Sequence, residues 1–216
     1  MSPTVTPLSE RLPKIIKILA RAHPDAKCQL NFTSPFQLLV GTILAAQCTD
    51  AKVNEVTPLL FKKYKDPKGF AAAPIEELEH DIHSTGFYKN KSKSLKKCSA
   101  ALIATHSGRV PEDMDALTAL PGVGRKTANV VRVHAYGHQG IIVDTHMLRV
   151  SKRLGLTKHT DPDKVEEGLR GLVPQKQWTL FSNVINMHGR RICTAKKPMC
   201  PTCPVNHLCP SAGKFT

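Results

Sequence analysis

A turn with two glycines that leads directly into a helix constrains this chain most: residues 120–128 are Leu-Pro-Gly-Val-Gly-Arg-Lys-Thr-Ala. Gly122 and Gly124 lack a Cβ atom, so we expect the turn to adopt φ > 0 and to bring backbone N–H groups close to a ligand. The N-terminus of the following helix directs unpaired N–H groups and a positive dipole end at anions. The segment predicts a phosphate-binding turn, although an ordinary connection between two helices would also use the glycines.

Lys126 and Asp144 are the candidate catalytic residues. Lys126 opens the helix, where the dipole and partial desolvation would both favour the neutral, nucleophilic amine. Asp144 follows an apolar run at residues 141–143. Its carboxylate can accept a proton or stabilise a developing cation. It can also simply cap the next helix, and the two roles are compatible.

Four cysteines near the C-terminus have the spacing C-x6-C-x2-C-x5-C; they are Cys193, Cys200, Cys203 and Cys209. The single C-x2-C pair and the long first gap favour a [4Fe–4S] cluster over zinc. Disulfides are the remaining interpretation. The odd total of seven cysteines and the lack of a signal peptide favour a reducing, intracellular compartment instead. The other three, Cys28, Cys48 and Cys98, are expected to be buried thiols.

The charge of the chain indicates a polyanionic partner. It has 31 Lys and Arg against 17 Asp and Glu, a net charge of +14. A lysine run at residues 89–97 and the acid-free segment after Glu167 flank the glycine turn, a pattern that favours contact with a phosphate backbone over merely solvated faces. No apolar stretch approaches the ~20 residues that span a bilayer. We expect a soluble, intracellular protein.

The apolar pattern predicts an all-α protein. Ser34 is expected to cap a helix that starts at Pro35, and strand-like alternation is nearly absent. The predicted helices cover residues 12–22, 35–44, 51–64, 75–84, 91–105, 113–120, 125–136, 145–154, 162–172 and 175–190.

The glycine turn, the segment Val143-Asp144-Thr145-His146 and the four-cysteine loop, in this order, resemble bacterial endonuclease III. That family comprises bifunctional DNA glycosylases of the helix-hairpin-helix superfamily. The resemblance implies two helical lobes with a DNA-binding cleft between them. Residues 28–138 would form a six-helix barrel lobe with the helix-hairpin-helix motif, and residues 1–27 with 139–216 would form an iron–sulfur cluster lobe.

The resemblance also assigns residues. Lys126 matches the family's catalytic lysine and Asp144 its catalytic aspartate. Gln47 would enter the space left by an extruded base, and Phe87 takes a second wedge position that is typically leucine. Without the family, Gln47 would be a polar residue at a helix end and Phe87 a core residue. The expected DNA contacts are Gln47, Phe87, Gly122, Val123, Gly124, Arg125, Thr127, His146, Lys196 and Lys197.

The implied activity is removal of oxidised pyrimidines from duplex DNA and strand cleavage 3′ to the abasic site by β-elimination. The expected partner is damaged double-stranded DNA, bound by a monomer in the bacterial cytoplasm at the nucleoid. One alternative is a monofunctional mismatch glycosylase, which uses water as its nucleophile. Others are a non-catalytic DNA-binding helix-hairpin-helix protein and an electron-transfer protein.

Overall fold

The computed structural model describes residues 7–215, and every regular element in that range is helical. This confirms the predicted all-α fold. The α-helices are α1 (Leu8–Ala22), α2 (Pro35–Leu44), α3 (Asp50–Lys63), α4 (Pro67–Ala72), α5 (Ile75–Asp81), α6 (Tyr88–His106), α7 (Met114–Thr118), α8 (Arg125–Tyr136), α9 (Thr145–Arg153), α10 (Pro162–Leu172) and α11 (Trp178–Arg191). None of these helices is long and apolar enough to cross a membrane.

The chain divides into two compact units. One is Cys28–His138, and the other combines Met1–Lys27 with Gln139–Thr216. The first contains α2 to α8, and the second contains α1 and α9 to α11.

Helix α2 is the buried centre of the first unit. Ser34 caps it by accepting a hydrogen bond from the Gln37 N–H, and Pro35 occupies its first position, as the sequence predicts. The helix is buried without interruption from Leu38 through Leu44. It packs against α3, α6 and α8, so its C-terminal end has a fixed position within the unit.

Helix α11 is central to the second unit, where it packs against α1 and α9. Ile15, Leu19 and Phe181 are fully buried in the shared core. A Cβ atom at Gly189 of α11 would lie 2.9 Å from the Cβ atom of His146 on α9. Glycine at this position therefore allows the close approach of the two helices.

Several of the predicted helix boundaries were wrong. Helix α5 stops at Asp81, and a 3₁₀ turn at His83–Thr85 follows it. Helix α6 begins at Tyr88, three residues before the predicted start. The short helix α4 was not predicted, because six residues are too few for an apolar period to show.

Candidate functional site

The glycine turn connects α7 to α8, and its two glycines differ. Gly122 has φ +79°, and a Cβ atom there would lie 2.7 Å from the Cβ atom of Ser94. Both the conformation and the packing therefore require glycine. Gly124 has φ −91°, so of the two glycines only Gly122 adopts the positive φ expected in this turn. A Cβ atom at Gly124 would meet no other atom within 4 Å.

Gly124 is the N-cap residue of α8 and supplies no side-chain oxygen to the N–H groups of the first turn. Lys126 lies in that turn, as predicted, and its side chain is exposed together with that of Arg125. Thr127 is half-buried. The protein therefore does not provide the partial desolvation expected for Lys126. The helix start instead presents a cationic, anion-attracting surface to solvent.

Val123, unlike its two glycine neighbours, is buried. Its side chain is 6% exposed, and its N–H donates to the Leu120 carbonyl at 3.1 Å. The predicted DNA contact of Val123 therefore lacks both an accessible side chain and an available N–H donor.

Four of the predicted DNA-binding residues line one recess in the Cys28–His138 unit. The recess has a volume of about 250 Å³, and its walls include Gln47, Phe87, Gly122 and Thr127. Phe87 is 60% exposed, so its interpretation as a core residue was wrong. This exposed ring is available for contact with a ligand.

Gln47 and Phe87 share an unusual backbone conformation. Gln47 has φ +52° and Phe87 has φ +50°. A non-glycine residue in the left-handed region costs about 1–2 kcal/mol, because its Cβ atom crowds the following carbonyl. The surrounding structure must hold both residues in this conformation.

Asp144 lies in the second unit, where it is the N-cap residue of α9. Its Oδ1 accepts hydrogen bonds from the N–H groups of His146 at 3.0 Å and Met147 at 2.8 Å. Its Oδ2 accepts from Nδ2 of Asn186 at 2.7 Å and lies 2.9 Å from Nδ1 of His146. The side chain is 11% exposed. The capping interpretation is confirmed, and these donors hold the carboxylate in one orientation.

All four C-terminal cysteines line one cavity in the second unit. All seven cysteines are free, so the structure gives no support to the disulfide interpretation. Outside the cavity, Cys98 is buried, and burial raises the pKa of its thiol to about 12. Cys28 and Cys48 are only partly buried, contrary to expectation.

The chemistry of this cavity fits a cluster held by thiolates. Burial raises the pKa of the Cys203 and Cys209 thiols, and the neighbouring cysteines raise it further. A metal centre must therefore displace protons from them. Nη1 of Arg153 donates to Sγ of Cys193 at 3.4 Å, which would stabilise a thiolate. Within residues 7–215, no group of three or more His, Cys, Asp or Glu side chains is arranged for a single metal ion.

Two buried histidines lie beside the four-cysteine cavity, and one of them, His188, is a second side chain, after Arg153, that contacts a cysteine sulfur. Nε2 of His188 lies 3.5 Å from Sγ of Cys203, and Nδ1 of His188 lies 3.3 Å from Nε2 of His23. Burial and the neighbouring His23 lower the pKa of His188 to about 4, and burial also lowers the pKa of His23. A neutral His188 that donates to sulfur accepts from His23. This leaves Nδ1 of His23, which has no partner in the described chain, as an unprotonated acceptor rather than a buried N–H.

Lys196 and Lys197 are exposed in the segment between Cys193 and Cys200. Arg153 braces this segment, because its Nη1 donates to the Thr194 carbonyl at 2.7 Å and its Nη2 donates to the Ala195 carbonyl at 2.9 Å. Thr194 Oγ1 also donates to the Lys197 carbonyl at 2.7 Å. The two ammonium groups therefore extend from a backbone that the protein holds in place.

The sequence did not identify several residues that support these sites, including Asn186, His188 and Arg153. It also predicted one charged surface from the lysine run at residues 89–97. Lys91 is buried, and Nζ of Lys96 donates to the Ala71 carbonyl at 2.9 Å. The run is therefore divided between structural and exposed lysines, a distinction that depends on tertiary packing.

The sequence and the fold match a known class of protein. A family model described as HhH-GPD superfamily base excision DNA repair protein matches residues 40–175. The endonuclease III of Synechocystis sp. is 50% identical over 204 residues, which cover 94% of this chain and 93% of that protein. The chain belongs to the endonuclease III family, DNA glycosylases with AP lyase activity that act in base excision repair.

Two solved structures extend the comparison. A trapped covalent intermediate of endonuclease III with DNA, an estranged-adenine complex, has a TM-score of 0.92 and 45% identity, and the match covers 95% of this chain and 97% of that one. A thermostable thymine-DNA glycosylase has a TM-score of 0.84 and 26% identity, with 95% of this chain and 98% of that one covered.

Proposed function

We propose that this protein removes oxidised pyrimidines from duplex DNA with Lys126 as the nucleophile, and then cleaves the strand 3′ to the resulting abasic site. The observation that carries the assignment is the exposed amine of Lys126 in the first turn of α8, beside a glycine cap. The related endonuclease III that was trapped as a covalent intermediate with DNA supports it. Borohydride trapping on a thymine-glycol duplex tests it.

The reaction begins when the damaged nucleotide leaves the stack, at a cost of a few kcal/mol. Gln47 and Phe87 would then fill the vacated space, Gln47 by hydrogen bonding and Phe87 by stacking of its ring. Both residues are already exposed at the same recess. The glycosidic carbon C1′ becomes accessible to a nucleophile only after this step.

The ammonium group of Lys126 first loses a proton. The neutral amine then forms a bond to C1′ while the bond from C1′ to the base breaks, and the base leaves with a proton. Asp144 would stabilise the positive charge on the sugar and assist proton transfer. Ring opening gives a Schiff base between Lys126 and C1′. Loss of a proton from C2′ then expels the 3′ phosphate, which leaves an unsaturated imine, still bound to Lys126, on one side and a 5′ phosphate on the other. Water finally hydrolyses the imine, which gives an unsaturated aldehyde and releases Lys126.

Phosphates would be held mainly by backbone donors and cationic side chains. Gly124 allows close approach to the start of α8, where Arg125 and Thr127 add side-chain donors. His146, Lys196 and Lys197 are the proposed contacts from the other unit. Such contacts position the duplex without reading its sequence.

Cys193, Cys200, Cys203 and Cys209 would hold a [4Fe–4S] cluster. When bound, the cluster would fix the loop, because ligand bonds close the segment that carries Lys196 and Lys197. The proposed role of this chain's residues is to present those two lysines to DNA without a large ordering cost.

The similarity to a thymine-DNA glycosylase is the observation behind one alternative, in which this protein is a monofunctional mismatch glycosylase with water as its nucleophile. Such an enzyme would form no covalent adduct with DNA. The exposed amine at Lys126 supports the bifunctional reaction instead. We further propose that the protein acts as a monomer on chromosomal DNA, in the bacterial cytoplasm at the nucleoid.

Asp144→Asn is expected to lower turnover by about 10²–10⁴, the usual contribution of a general acid or base, while DNA affinity changes little. Asparagine still caps a helix, but it cannot carry the negative charge that the reaction requires. Single-turnover rates and binding titrations with thymine-glycol duplex measure the two effects.

Asp161→Asn is the matched control, because Asp161 caps α10 by accepting from the Lys164 N–H. Normal turnover in Asp144→Asn, with a thermal stability changed no more than that of Asp161→Asn, would show that Asp144 serves only as a helix cap.

Replacing both Lys196 and Lys197 by alanine is expected to flatten the salt dependence of DNA binding. The log–log slope should fall by about 0.9 for each phosphate that the protein no longer neutralises. The control, Lys14→Ala with Lys17→Ala, removes the same charge from exposed positions on α1. Equal slopes for the two double variants would show that the lysines of the cysteine loop make no specific phosphate contact.

A further inference from the structure

Lys91 is a buried lysine close to the recess. Lys91 is 5% exposed and lies in the first turn of α6. Nζ donates to the Leu44 carbonyl at 2.7 Å and to the Thr85 carbonyl at 2.8 Å. Burial lowers the pKa of this ammonium group. Both acceptors are backbone carbonyls, one at the last residue of α2 and the other at the end of the 3₁₀ turn.

The arrangement explains how the fold tolerates a buried amine. Desolvation of a charged group is costly, and a methionine of similar length would fill the same volume without that cost. The C-terminal carbonyls of a helix lack intrahelical partners and carry a negative partial charge, so an ammonium group is favourable there. Lys91 thereby joins the C-terminal ends of two helical segments that are well separated in sequence.

Each of the two carbonyls lies just before a strained residue. Gln47 follows Leu44 by three residues, and Phe87 follows Thr85 by two. Both adopt positive φ, and both line the recess whose wall Lys91 also forms. A single side chain therefore anchors the two loops at the points from which Gln47 and Phe87 extend.

We propose that Lys91 is a positioning residue, which holds the loops of Gln47 and Phe87 in the conformation that fills the space of an extruded nucleotide. This inference rests on the proposed function. Without the two hydrogen bonds, both loops are free to relax toward ordinary backbone conformations. Ordering them again would then accompany every base-extrusion event and slow it.

The test compares Lys91→Met with Lys93→Met. Lys93 lies on the same helix and is exposed, so its replacement removes the same charge without touching the two carbonyls. Two substrates separate extrusion from chemistry. In a thymine-glycol duplex, extrusion of the damaged nucleotide leaves a space in the base stack that must be filled. A single-stranded oligonucleotide with an abasic site has no opposite strand, so its cleavage requires no such step.

Single-turnover base release from the duplex is expected to be about 10- to 100-fold slower in Lys91→Met than in Lys93→Met, the size of effect that a misplacement of about 1 Å produces. Strand cleavage of the single-stranded substrate should be equal in the two variants. Equal loss on both substrates, or equal rates for the two variants on the duplex, would overturn the positioning role.

A second readout distinguishes positioning from general destabilisation. In a background that carries Gln47→Ala and Phe87→Ala, Lys91→Met should cause less than about a twofold further decrease in rate, because its effect acts through those two side chains. If Lys91→Met slows base release in this background by the same factor as in the wild-type background, the proposal is contradicted. If Lys91→Met does not fold, as judged by circular dichroism, Lys91→Gln is compared with Lys93→Met in its place. Its uncharged NH₂ group keeps two N–H donors on a shorter side chain, so a smaller loss of rate on the duplex and equal cleavage of the single strand are expected.

The activity of the wild-type protein distinguishes failure of this inference from failure of the proposed function. Wild-type protein that neither releases thymine glycol nor forms a borohydride adduct would refute the proposed function. An active wild-type protein whose Lys91→Met and Lys93→Met variants behave alike would refute only the role of Lys91.

Discussion

Lys126→Gln is expected to abolish the covalent adduct that borohydride traps between the protein and a thymine-glycol duplex. Glutamine has no basic amine, so it can form neither the bond to C1′ nor the Schiff base that borohydride reduces. Base release should fall by at least about 10³-fold, the scale on which loss of a catalytic nucleophile acts. A denaturing gel detects the adduct, and a binding titration should show DNA affinity close to that of the wild-type protein.

Arg125→Gln is the matched control for this experiment. It removes one positive charge from the adjacent position in the same helical turn but leaves the amine of Lys126 in place. Weaker binding with an intact adduct is the expected behaviour. An adduct that persists in Lys126→Gln would mean that another amine attacks the sugar.

Cys209→Ala is expected to remove the bound metal and destabilise the C-terminal loop. The wild-type protein should be brown, absorb near ~400 nm and contain about four iron atoms per chain, as for a [4Fe–4S] centre with four cysteines. Loss of one ligand should reduce the iron content to a small fraction and lower the thermal stability, because cluster binding and loop folding are linked. Metal analysis and thermal unfolding measure the two effects.

Cys28→Ala should leave the iron content unchanged, because Cys28 is outside the four-cysteine cavity. One zinc ion per chain without iron would contradict the cluster assignment. Full iron content in Cys209→Ala would show that Cys209 is not a ligand.

Signals close together in the sequence predicted much of the fold. The boundaries of α8 and α10 agree with the predicted 125–136 and 162–172. Asp144 caps α9 as predicted, because capping depends on a side chain and N–H groups two or three residues away. Such interactions are specified within one turn of a helix, where the sequence is directly informative.

Long-range packing determined what the sequence could not reveal. Nothing local distinguishes Lys91, which is buried, from Lys93, which is exposed. The hydrogen bonds from Asn186 to Asp144 and from Arg153 to the cysteine loop span about 40 residues of sequence. Phe87 is exposed and adopts a left-handed backbone conformation, and its residue type favours neither.

Gly122 and Gly124 illustrate how neighbouring identical residues can be subject to different selection. Substitution of Gly122 forces a side chain into Ser94, so a mutational scan that scores cellular abundance should detect it. A side chain at Gly124 would meet open space, so substitutions there should leave cellular abundance unchanged in the same scan. If a phosphate approaches Gly124 as we propose, only survival under oxidative DNA damage would reveal the requirement for glycine there. Variants at Gly124 would then accumulate as full-length, well-folded protein that no longer repairs DNA.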